Sequence, residues 1–204
     1  MEPLHPEEIR VLGALVEKDI TTPEYYPLTL NALVNACNQK SSREPVVQYD
    51  EETVERALEA LRHRGLATRI SGSGHRVEKH GHRLGEAFNF GRRETALLCV
   101  LMLRGPQTVG ELRGRTERMH DFADLEEVER CLESLASREP DPLVTSLPRG
   151  RWAHLLGGPP DPSALATPAA LATMSPGLQE RVMELEREVA SLKEQFAQFR
   201  KQFE

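Results

Sequence analysis

The stretch ETVERALEAL, Glu52 to Leu61, returns 74 residues later as EEVERCLESL, Glu126 to Leu135. Each copy spaces its apolar residues at three and four: Val54, Leu58 and Leu61 in the first, Val128, Leu132 and Leu135 in the second. This is the period of one buried helical face. Asp50 and Asp124 stand ahead of the two copies as N-caps, since a short side chain with an oxygen satisfies an otherwise unpaired N–H of the first turn. A similarity repeated at a fixed interval implies two copies of one structural unit.

The match extends upstream. PLTLNALVNACNQ (27–39) corresponds to PQTVGELRGRTER (106–118), and each opens with Pro-x-Thr. Thr108 with Glu111 reads as a capping box. Before these lies one more helix per unit. In the first unit Pro6, Glu7 and Glu8 suit a helix start, with Ile9, Leu12, Leu15 and Val16 on one face. In the second unit Thr95 to Leu103, TALLCVLML, contains eight consecutive apolar residues, Ala96 to Leu103, and stops at Gly105-Pro106. With no polar face, this helix is expected to be covered on both sides.

Downstream of each repeated helix the period changes to alternation. GLATRISGSGHRV (65–77) predicts a hairpin with Leu66, Thr68 and Ile70 on one side, and LVTSLPRGRWAHLL (143–156) predicts a second around Pro-Arg-Gly. Three helices followed by a hairpin is the order of a winged helix, in which the hairpin is the wing. The predicted fold is mainly α with small β-hairpins (α+β): a first winged-helix domain at 1–90, a second at 91–156, a Gly/Pro/Ala-rich linker at 157–174 and a heptad helix at 175–204.

The stretches TTPEYYPLTLNALVNACNQKSSREPV (21–46) and LRGPQTVGELRGRTERM (103–119) resemble the YceH-like family of bacterial proteins, and the resemblance runs through both units into the C-terminal helix. It implies a tandem winged-helix fold and a dimer, and it carries over no catalytic residue. This chain departs from the family in a shorter turn before Trp152, which removes the second wing from the candidate contacts.

Composition bounds the rest. Apolar residues at 39% and charged residues at 28% describe a chain able to bury a core. Neither a membrane span nor an export signal is legible, so the expected location is the cytosol. Cys37, Cys99 and Cys131 sit within apolar helical patterns and are read as buried thiols. His75, His80 and His82 match no familiar metal spacing, and SGSG (71–74) lacks the helix and Lys of a phosphate loop. No nucleophile, base and orienter set stands out. The protein is therefore read as non-enzymatic, with no metal and no cofactor.

Charge decides between partners. From Asp50 to Leu61, and again from Asp124 to Leu135, five acids face a single Arg, giving each third helix a net charge of minus four. A recognition helix enters the major groove beside phosphates, which these carboxylates would repel. One span is basic. Arg62, Arg64, Arg69, Arg76, Lys79 and Arg83 face Glu78 alone. Arg69, Arg76 and Lys79 are the first candidates for phosphate contacts by the wing, with Arg62 and Arg64 beside them and Lys40 and Arg43 in the preceding loop. The opposing reading is that the island balances the acidic helix, through Glu55 or Glu59 at helical spacing from Arg62. The first expectation is thus a DNA-binding or regulatory dimer with weak sequence preference through the first wing, the commonest use of the fold. The alternative is a protein-interaction scaffold that docks a basic partner at the third helices.

Ser175 and Pro176 open the last helix, whose apolar residues are Leu178, Val182, Leu185, Val189, Leu192, Phe196, Phe199 and Phe203. Val at a and Leu at d favour a two-stranded parallel coiled coil, in which Arg181 meets Glu186 and Glu188 meets Lys193. The alternative is an amphipathic strap folded back on its own chain. The charge pairs favour a homodimer.

Overall fold

In the computed structural model the described residues are 2–70 and 77–160. Helix α1 spans Pro6–Thr21, with Pro6 at its first position and the backbone N–H of His5 donating to the Glu8 carboxylate at 2.7 Å. Two further helices follow, α2 (Leu30–Cys37) and α3 (Glu51–His63), then the antiparallel strands β1 (Ala67–Ile70) and β2 (Lys79–His82). A short helix, α4 (Leu84–Phe88), leads into the second series: α5 (Arg92–Arg104), β3 (Gln107–Thr108), α6 (Val109–Thr116), α7 (Leu125–Ala136), β4 (Val144–Leu147) and β5 (Arg151–His154). The fold is α+β, mainly helical with small antiparallel sheets.

The caps explain where the helices begin. Thr29, Asp50, Thr108 and Asp124 each accept a backbone N–H from three residues on, and Glu111 completes a capping box by accepting from Thr108 N. Each cap satisfies a donor that the helix itself leaves unpaired.

Helix α5 is buried along the whole of Thr95 to Leu103, as its lack of a polar face requires. Helix α1 differs from expectation. Its apolar spacing predicts a single buried face, but Val11 to Val16 are buried without a break, because α2 and α3 pack on it as well as α5. The close approach of α1 and α5 runs over Gly13, where a Cβ would lie 3.0 Å from Leu103. The Cys99 thiol donates to the Gly13 carbonyl across this contact at 3.5 Å. The two central helices join both halves of residues 2–160 in one hydrophobic cluster, running from Leu4 to Leu156.

The second sheet has the order β3-β5-β4, with Gln107 opposite Trp152 and Val144 opposite His154. In the first half a single bridge between Leu28 and His80 takes the place of β3. Leu28 precedes the cap Thr29 as Gln107 precedes the cap Thr108, so the repeat includes a third strand position that periodicity does not reveal. Residues 71–76, with the SGSG turn, His75 and Arg76, lie outside the described residues, as do the end of the linker and the whole heptad helix.

Candidate nucleic-acid interface

Four of the five described cations of the basic island meet carboxylates. Arg62, at the end of α3, pairs with Glu59 one turn earlier. Arg64 donates to the backbone carbonyl of Glu2 at 2.8 Å and lies 3.8 Å from the Glu8 carboxylate, pinning the N-terminal segment. Arg69 reaches Glu78 across the hairpin at 3.0 Å, and Arg83 reaches Glu86 at 2.6 Å. Lys79 has no carboxylate within ion-pairing distance among the described residues. Lys40 is exposed in the turn after α2.

Arg43 is placed differently from the other candidates. Its side chain is buried, donating to the Ala36 carbonyl at 2.8 Å and to both oxygens of Glu17, at 3.1 and 2.6 Å. Arg10 lies beside it, donating to the Cys37 carbonyl at 3.1 Å and to the Pro45 carbonyl at 2.6 Å. Two guanidinium groups therefore close the C-terminal end of α2, where carbonyls lack intrahelical partners and the helix dipole favours positive charge. Sequence spacing holds no sign of this, because these contacts join residues from 7 to 35 positions apart.

The third helices present the opposite charge to solvent. On α3, Glu51, Glu52, Glu55 and Glu59 are exposed; on α7, Glu126, Glu129 and Glu133 are. The one Arg of each lies near a carboxylate of its own helix, Arg56 at 3.6 Å from Glu52 and Arg130 at 3.5 Å from Glu126. Hydrogen bonds from Thr53 hold the Asp50 carboxyl below its ordinary range, Arg62 does so for Glu59, and the backbone N–H of Ala123 does so for Glu127. These groups are charged at neutral pH.

The remaining polar candidates are buried or hydrogen-bonded within the fold. All three cysteines are free and buried, with Cys37 and Cys131 each pushed up to about 12 by burial. His80 is buried, its Nδ1 without a hydrogen-bond partner among the described residues, and desolvation lowers its pKa. His82 lies 3.2 Å from Asp19, and its backbone N–H donates to the Tyr26 hydroxyl at 2.6 Å. Among the described residues no three His, Cys, Asp or Glu side chains are gathered to hold a metal. Nor is any described helix long and apolar enough to cross a membrane.

A family model described as "Protein of unknown function, DUF480" matches residues 4–151. A protein of Solibacter usitatus named "UPF0502 protein" is 57% identical over 207 residues, covering 98% of each chain. A namesake from Opitutus terrae is 56% identical over 91% of this chain and 81% of its own. Another, from Geobacter sulfurreducens, is 49% identical over 98% of each chain. The chain belongs to the DUF480 family, whose relatives here carry the name UPF0502.

Proposed function

We propose that this DUF480 family member is a non-enzymatic tandem winged-helix protein that docks a basic protein partner on its third helices. Three helices and a hairpin, with a strand position ahead of the second helix, occur twice in the order expected of winged helices. The observation that carries the reading is the solvent face of α3 and α7. The helix positions that a DNA-binding relative of this fold would turn towards phosphates carry exposed glutamates in both copies. Such a face attracts Lys- and Arg-rich surfaces and speeds their encounter. The heptad pattern of the sequence from Leu178 to Phe203 favours a homodimer, which would present the acidic faces in pairs and raise avidity.

A second reading, DNA held at the first wing, is favoured by Lys79 and by the exposure of the Arg69 to Glu78 pair, with half of each side chain in solvent. Exposed pairs contribute roughly 0 to 1 kcal/mol, so a phosphate could displace Glu78 from Arg69 at small cost. Wing contacts of this kind position a duplex without reading much sequence.

Fluorescence anisotropy separates the two. A labelled oligolysine peptide and a labelled random duplex are titrated with the full chain at several salt concentrations. The first reading expects peptide binding that Glu52→Lys/Glu55→Lys abolishes and Glu24→Lys leaves intact. Salt-sensitive duplex binding lost in Arg69→Glu/Lys79→Glu, with no peptide effect of the α3 variant, would replace it by the second.

A further inference from the structure

A second group of cations, three of them without a carboxylate partner among the described residues, lies away from the wing. The end of α1, the turn after α2, the end of α5 and the end of α6 enclose a cleft of about 430 Å³. Its lining includes Lys18, Lys40, Arg104, Arg115 and Arg118, with Glu17 as the single acid. Glu17 is already engaged, by both nitrogens of Arg43 and by Lys18 at 3.5 Å. Arg115 has a partner on its own helix, Glu111 at 3.4 Å. Arg104 has a hydroxyl, Ser42 Oγ at 2.7 Å, and no carboxylate within ion-pairing distance among the described residues. Lys40 and Arg118, exposed at the rim, likewise have none there.

Like charges converging without a counterion oppose one another, and the opposition grows as water is excluded. Burial, and after it the charge of Arg115, lowers the Arg104 pKa. Ser42, which receives it, has φ of 59°. A non-glycine residue in this left-handed region carries a conformational cost that its surroundings must sustain. The floor is apolar, formed by Val100, Leu103 and Met119, all buried. The volume lies within the range of small-molecule sites, and convergent polar groups over an apolar floor are what such sites share.

We infer that this cleft binds a small organic phosphate carrying at least two negative charges, held by Lys40, Arg104 and Arg118, with its uncharged part against Val100, Leu103 and Met119. Guanidinium groups bind phosphate oxygens through paired N–H donors, and ammonium groups as compact point charges. Lys18 and Lys40 come from the first repeat, and Arg104, Arg115 and Arg118 from the second. Occupancy thus ties the two repeats together through one ligand, at a surface separate from the exposed faces of α3 and α7.

The test is calorimetric titration of the full chain with inorganic pyrophosphate, at ionic strength held constant with sodium chloride. Saturable binding is expected, weakened about tenfold by Lys40→Gln and by Arg118→Gln, since a hydrogen bond to a charged group contributes on that scale. Both side chains are exposed, so the fold tolerates the changes, and equal melting temperatures of the unliganded proteins verify this. Arg69→Gln/Lys79→Gln should bind pyrophosphate as the unaltered chain does. Absence of saturable binding at constant ionic strength, or affinity indifferent to Lys40 and Arg118, overturns the assignment. Displacement of pyrophosphate by random duplex DNA, with DNA affinity lost in the same two variants, would overturn it in favour of a nucleic-acid groove.

Discussion

The guanidinium of Arg43 donates to both carboxylate oxygens of Glu17, at 3.1 and 2.6 Å. Burial alone would raise the Glu17 pKa, but the hydrogen bonds and charge of Arg43 hold it below the ordinary range. The pair connects the turn after α2 to α1. Removing either partner leaves a charge with little access to water, which costs far more than the loss of a surface pair. Arg43→Ala and Glu17→Ala should each lower unfolding stability by about 3 kcal/mol. Chemical denaturation of both, with the double variant, checks this; the double should cost clearly less than the sum.

The Thr108 and Glu111 side chains satisfy one another's backbone N–H groups at the start of α6. Thr29, in the equivalent place on α2, accepts from Ala32 at 3.3 Å, but its helix has no acidic residue in the first turn to reciprocate. Thr108→Ala should cost about 1 kcal/mol, and Thr29→Ala somewhat less. Paired denaturant melts give the comparison.

His154 is half-buried as a residue, while its Nδ1 is sealed without a hydrogen-bond partner among the described residues, and desolvation lowers its pKa to about 4. An unfolded histidine titrates near 6.5. Between these values the unfolded chain takes up a proton that the folded chain refuses. Stability is therefore complete above pH 6.5 and falls as pH drops towards 4, by about 2 kcal/mol after allowing for the residue's partial exposure. His154→Gln should flatten this slope between pH 7.5 and 4.5, measured as the difference from the unaltered chain.

Cys37 and Cys99 are closed off entirely and Cys131 is nearly so, and burial raises all three pKa values. Thiolate is the reactive form. At pH 7 a thiol reagent should leave the native protein unlabelled and modify three groups once denaturant is added. Rapid labelling of one native cysteine would show local opening at that helix.

The repeated helices, their caps, the unbroken burial of α5 and the placing of the second hairpin are legible in the order of the residues alone. Each rests on a local rule: the spacing of Val54, Leu58 and Leu61, the oxygen of Asp124 beside a nascent helix, or the alternation around Pro-Arg-Gly. The return strand of the first hairpin is not legible there, since β2 spans Lys79–His82, beyond the expected 65–77, and Ile70 is exposed rather than facing the core with Leu66. The pairing of Gln107 and of Leu28 with a strand, the unbroken burial of Val11 to Val16 in α1 and the destination of each cation needed the folded chain. Arg43 belongs to α2 and Glu17, Arg64 to the N-terminal segment, and Arg104 to a cleft shared by the two repeats. Periodicity records which face of an element is apolar, because that depends on neighbours three or four residues away. It carries no record of what lies across the contact, which depends on how distant segments meet.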